Sequence, residues 1–132
     1  GADFAWMGTR FINTAESRAS EGYRDMIIES GASDVVHTAA VSGIPANFLR
    51  PSLEAMGITQ EMWDKKAKMD FGKELDAAKA EAKAWKTIWS AGQGVATIHD
   101  NVPVAELVKR TRAEFIDAIQ AQSQLVKRYQ QT

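Results

Sequence analysis

A chain of 132 residues fits one domain or part of one, and its 45% hydrophobic and 25% charged residues are ordinary for a soluble globular protein. The net charge of -1 gives no electrostatic case for nucleic acid or for an anionic membrane. The absence of cysteine excludes disulfides, thiolate catalysis and a Cys-based zinc site.

No apolar run approaches the roughly 20 residues of a membrane span. No signal peptide is visible, and a reducing cytoplasm is the expected compartment. There is no internal repeat and no low-complexity tract.

The first segment is Gly1-Ala2-Asp3-Phe4-Ala5-Trp6-Met7-Gly8-Thr9-Arg10-Phe11. Residues 4–7 are apolar without a break, which predicts a strand over residues 3–8, covered on both faces as in a parallel sheet. Gly8 lets the backbone approach a ligand, and Thr9 adds a hydroxyl beside its own N–H. Such N–H groups hold anions at the carboxyl ends of parallel strands. An ordinary strand ending at a glycine accounts for the same residues. A parallel strand needs neighbours on both sides, so the chain reads as the C-terminal piece of something longer.

Asn13 or Thr14 can cap a helix over residues 15–30, with Ala19, Tyr23, Met26 and Ile27 on its buried face and Gly31 as its stop. Residues 34–41 are β-branched and apolar and predict a strand. Ser42-Gly43-Ile44-Pro45 breaks it, and residues 46–49 form a short extended piece. Pro51 suits the first position of a short helix ending at Gly57, and Thr59 caps another reaching Lys66.

Residues 72–89 carry a helical pattern, with Leu75, Ala78, Ala82, Trp85 and Trp89 at spacings of three and four. A loop with two glycines follows. The last helix, over residues 103–128, is expected to bury Val104, Val108, Phe115, Ala118 and Val126, with polar final turns from Gln120 in solvent. One or two strands leading a mostly helical chain is what the end of an α/β barrel looks like. A closed barrel is not expected, since eight strands need about 250 residues.

The second segment of note is Ala84-Trp85-Lys86-Thr87-Ile88-Trp89-Ser90-Ala91-Gly92-Gln93-Gly94. Ser90 and Gln93 offer a hydroxyl and an amide that can orient a polar ligand. The structural alternative is a helix C-cap in which Gly92 is left-handed. No general base is identifiable beside Ser90, so it is not a nucleophile candidate. His37 lies inside a strand without a visible partner and reads as a packed or edge residue. His99, beside Asp100, reads as surface. The carboxylates show no metal-ligand spacing. Trp6, Trp63, Trp85 and Trp89 could form a stacking platform, but helical spacing assigns Trp85 and Trp89 to the core. The dense mixed charge of residues 65–86 reads as a solvated helix face.

Three segments together resemble the nitronate monooxygenases, formerly called 2-nitropropane dioxygenases. Residues 1–11 are similar to the family's last barrel strand. Val41-Ser42-Gly43-Ile44-Pro45-Ala46-Asn47-Phe48-Leu49-Arg50-Pro51-Ser52 resembles the segment that follows it. Residues 84–94 resemble its tryptophan-containing, glutamine-glycine loop. The three ordered matches cover most of residues 1–100; Met-Gly-Thr alone is shared with other flavin barrels.

The resemblance implies an α/β fold in which residues 1–132 are the C-terminal fragment of a single FMN-binding TIM (β/α)8 barrel domain. It implies FMN as cofactor, and oxidation of alkyl nitronates by oxygen. The implied cofactor-binding positions are Gly8 and Thr9, at the FMN phosphate. Ser90, Gly92 and Gln93 would form the loop near flavin and substrate. The family's catalytic histidine and its second phosphate loop lie upstream, so no catalytic residue and no metal site is expected within this chain, and the fragment alone is expected to be inactive. A homo-oligomer is left open. The first alternative is a flavin-dependent enoyl-acyl-carrier-protein reductase, which the first segment resembles comparably. The second is a small helical interaction module without cofactor.

Overall fold

A computed structural model describes residues 4–41, 43–64 and 86–130. Its elements are α1 (Thr9–Ile12), α2 (Glu21–Glu29), β1 (Val35–Thr38), β2 (Ala46–Leu49), α3 (Arg50–Glu54), α4 (Gln60–Trp63) and α5 (Val104–Gln130). Two 3-10 turns, Ala32–Asp34 and Gln93–Thr97, join them. The described chain is thus mostly helical, with a two-stranded antiparallel sheet and no closed barrel.

The expected first strand is not formed. Residues 4–7 carry no regular structure, and Phe4 and Trp6 are 95% and 101% exposed. A strand is made by its neighbours' hydrogen bonds, and none of the described residues pairs with this segment.

The expected helix over residues 15–30 begins later. Ser20 is its cap, with its hydroxyl accepting from the Tyr23 N–H at 3.4 Å. Asn13 and Thr14 are buried instead. The Thr14 hydroxyl donates to the Phe11 carbonyl at 2.9 Å, and Asn13 Nδ2 donates to the Arg24 carbonyl at 2.9 Å. Ile27, Tyr23 and Met26 do face the core, and the helix stops at Glu29, before Gly31.

β1 and β2 pair in the register Val35–Leu49, Val36–Phe48, His37–Asn47 and Thr38–Ala46. α3 carries Pro51 in its first turn, as expected from its preset φ. It closes in a Schellman arrangement around Gly57, whose φ of +75° favours glycine. The Ile58 N–H reaches the Leu53 carbonyl at 3.0 Å and the Gly57 N–H reaches Glu54 at 2.8 Å. Ile58 and Leu53 both enter the first core cluster with Phe48, Trp63 and Ile88.

A second cluster joins Ile27, Leu49, Ala91, Val95 and Ile98. Within this second region the Leu49 N–H donates to the Trp89 carbonyl at 2.7 Å. Buried Ser52 completes the link by accepting from the Trp89 N–H at 3.0 Å and donating to the Leu49 carbonyl at 2.7 Å. The helix expected over residues 72–89 lies mostly outside the described residues, Trp85 with it; residues 86 and 87 are helical.

α5 starts where expected, and Glu16 caps it from a distance by accepting from the Val104 N–H at 2.9 Å. Its expected buried face is not buried. Leu107 is its one buried residue among those described, while Val108, Phe115, Ala118 and Val126 are exposed and Val104 is partly covered. The apolar stripe exists, but nothing among the described residues lies against most of it. No described helix is long and apolar enough to cross a membrane.

Candidate functional site

Two segments far apart in sequence meet at one hydrogen bond. The Gly92 N–H donates to Thr9 Oγ1 at 2.8 Å across a separation of 83 residues. Gly8 precedes α1 with φ -90° and ψ -66°, and a Cβ built on it meets nothing within 4 Å. Gly92 has φ -82° and ψ 169°, which is extended backbone, so the expected left-handed C-cap is not formed.

The Gly92 loop is held from below. The Tyr23 hydroxyl donates to the Ser90 carbonyl, and the Tyr23 and Trp89 rings stack at 5.1 Å and 16°. Burial pushes the Tyr23 phenol above its ordinary pKa. The Val95 N–H returns to the Gly92 carbonyl at 3.0 Å, and the Val95 and Ile98 side chains anchor the 3-10 turn in the second cluster.

The two segments border a cavity of about 670 Å³, within the roughly 300–1,000 Å³ of small-molecule sites. Gly8, Thr9, Gly92 and Gln93 line it, as do Arg110 and Glu114 from α5. Four of the five candidate residues are therefore gathered on one wall. The fifth, Ser90, does not line the cavity and is engaged through its carbonyl.

No histidine lines it. His37 Nδ1 lies 2.8 Å from Asn47 Oδ1 in an exposed cross-strand pair, and His99 is exposed in a loop. Trp63 is buried in the first cluster and Trp6 is at the cavity mouth, so the two share no platform. No cluster of three or more metal-ligating side chains occurs among the described residues.

Sequence reasoning missed the charged tie beside the cavity. Asp100 accepts from Arg10 Nη2 at 2.5 Å and from Arg110 Nη1 at 2.7 Å. Arg10 Nη1 also reaches the Asn13 carbonyl at 3.0 Å and the Asp100 carbonyl at 3.3 Å. Separations of 90 and 10 residues leave no local pattern from which to read this triad.

The Arg110 hydrogen bond, with the charges of both arginines, holds the Asp100 carboxyl below its ordinary value of 3.8. The folded state then binds fewer protons than the unfolded chain as pH falls through that value. The stabilisation is complete above about pH 4 and is lost as pH drops toward the lowered folded value. Asp100→Asn should cost about 0.5–1 kcal/mol at pH 7, since the carboxylate is part-exposed. In urea melts the gap between variant and wild type should close below pH 4; a gap unchanged between pH 7 and pH 3 would exclude this role for the ion pairs.

The sequence model of nitronate monooxygenase matches residues 1–114. The chain belongs to the nitronate monooxygenase family. Every cavity residue named above falls inside that match. The chain is 34% identical over 126 residues to a nitronate monooxygenase of Paraburkholderia phytofirmans, covering 91% of this chain and 34% of that protein. It is similar in structure to FabK from Thermotoga maritima, with a TM-score of 0.62 and 25% identity over 88% of this chain and 38% of that one. The M276A mutant of FabK gives a TM-score of 0.60 at 24% identity, which is a likeness of fold. The chain thus spans about a third of the length of the relatives it matches. The family is one of flavin-dependent oxidoreductases.

Proposed function

We propose that this chain is the C-terminal part of a cytoplasmic, FMN-dependent nitronate monooxygenase, with residues 1–132 forming one portion of a single (β/α)8 barrel domain. In that protein Gly8 and Thr9 bind the FMN phosphate, while Gly92 and Gln93 form the loop on the flavin and substrate side. The observation that carries this reading is the bond from the Gly92 N–H to Thr9 Oγ1, which joins two family motifs on the wall of one cavity.

The residues present fit the phosphate end of such a cofactor. The space beside Gly8 is open for a ligand to approach the backbone. The Thr9 hydroxyl accepts from Gly92 and keeps its own proton for another acceptor. The bound flavin would supply the electron transfer between nitronate and oxygen, and the protein would position it. With no histidine on this wall, the base required by substrates that must first lose a proton belongs to the upstream part of the barrel.

The test is anaerobic mixing of the flavin-loaded complete protein with propyl nitronate, and separately with NADH and NADPH. Bleaching of the flavin by the nitronate alone is expected. Bleaching by a nicotinamide alone would overturn the reading in favour of the enoyl-acyl-carrier-protein reductase. A folded, colourless complete protein that takes up no flavin would favour the interaction module.

A further inference from the structure

We propose that Arg110, on the C-terminal helix α5, is a phosphate-binding residue of this cavity and selects a flavin bearing a phosphomonoester over one without it. This rests on the flavin reading above and extends it to a residue outside the three motifs.

Arg110 lines the same cavity as Gly8, Thr9 and Gly92. It is held in place, because Asp100 Oδ2 takes its Nη1 at 2.7 Å. That bond engages one nitrogen of a guanidinium that carries donors on all three. Arg10 is unsuited to the same task. Its side chain is only 15% exposed, and its terminal nitrogens are directed to Asp100 and to the Asn13 carbonyl. Arg10 thus ties the Thr9 turn to Asp100, and Asp100 in turn fixes Arg110.

The Arg10–Asp100–Arg110 triad by itself carries one excess positive charge, and the carboxylates of Glu106 and Glu114, which also act on Arg110, offset it. A phosphomonoester near pH 7 carries between one and two negative charges, with a second pKa of about 6. Gly8 and Thr9 offer it only uncharged donors, so a cation on the same wall supplies what they lack. Glu114, one helical turn from Arg110 and also on the cavity wall, opposes the anion. The two side chains therefore make opposite predictions.

The experiment titrates the apo form of the complete protein with FMN and with riboflavin, which has the same ring system and no phosphate, and follows flavin fluorescence. R110Q should weaken FMN binding by about tenfold or more, the usual scale of one charge-assisted bond, and leave riboflavin within about twofold. The salt dependence of FMN binding should also become shallower. An R110Q protein that folds and weakens both flavins equally, or neither, overturns the proposal. Should R110Q fail to fold, E114Q decides: tighter FMN binding with riboflavin unchanged supports the proposal, and unchanged FMN affinity overturns it. Wild-type protein that binds neither flavin refutes the functional reading itself, a result distinct from equal affinities in wild type and R110Q.

Discussion

Residues 1–132 expressed alone should bind FMN at least about 100-fold more weakly than the complete protein and should oxidise no nitronate, the affinity loss corresponding to about 2.7 kcal/mol. In the proposed reading the cavity supplies only the phosphate end of the site, and Trp6, which lines it, is fully exposed. Small-molecule sites bury most of their ligand, and this wall offers a flavin ring little cover. No histidine stands on the wall to take a proton from substrate. The same apolar surface should make the isolated chain self-associate. The exposed first segment and the uncovered Phe115, Ile119 and Val126 of α5 present large apolar side chains to water. Light scattering, flavin absorbance and oxygen uptake with propyl nitronate measure all three quantities on one preparation. A yellow, active monomer would show that this chain holds a complete site and would require a base among its own residues.

Where the sequence carried local chemistry, it was readable. The short extended piece at 46–49 and the helix led by Pro51 rest on fixed φ values and turn residues, and both occur as β2 and α3. Gly57 takes the left-handed conformation that ends such a helix. Capping was harder, because Asn13, Thr14 and Ser20 are all cap-type residues. The first two are spent on the carbonyls of Arg24 and Phe11, and only Ser20 serves the helix. That choice is made by tertiary packing and leaves no mark on local composition.

The buried faces were misread for a different reason. An apolar period states which side of an element wants a partner, not that the partner is present. Residues 4–7 and the stripe of α5 both carry the pattern, and both stand largely exposed. The cavity followed the same division. Gly8, Thr9, Gly92 and Gln93 sit in contiguous motifs and could be singled out. Arg10, Asp100 and Arg110 become a unit only when the fold brings residues 10 and 100 together. Ser90 lies in a motif, yet it borders the stacked Tyr23 and Trp89 pair rather than the cavity.

Gly8→Val in the complete protein should reduce bound FMN by about tenfold or more while leaving the melting temperature nearly unchanged, a separation that most glycine substitutions do not allow. Gly8 has a right-handed φ and ψ that any L residue can adopt, so valine introduces no backbone strain. A Cβ there meets no protein atom within 4 Å, so the side chain creates no clash with the fold. What valine fills is the space from which a phosphate would approach the Gly8–Thr9 backbone, and its branched side chain has few rotamers with which to withdraw. Gly8→Ala, with a single methyl group, should show a smaller loss in the same direction. The measurement is flavin-to-protein absorbance after purification, paired with a thermal melt of each apo protein. Valine-substituted protein that retains full flavin would place the phosphate elsewhere and remove Gly8 from the site. A melting temperature lowered by more than about 5 °C, on the order of 1 kcal/mol or more, would show that the glycine serves the fold, contrary to the open space beside it.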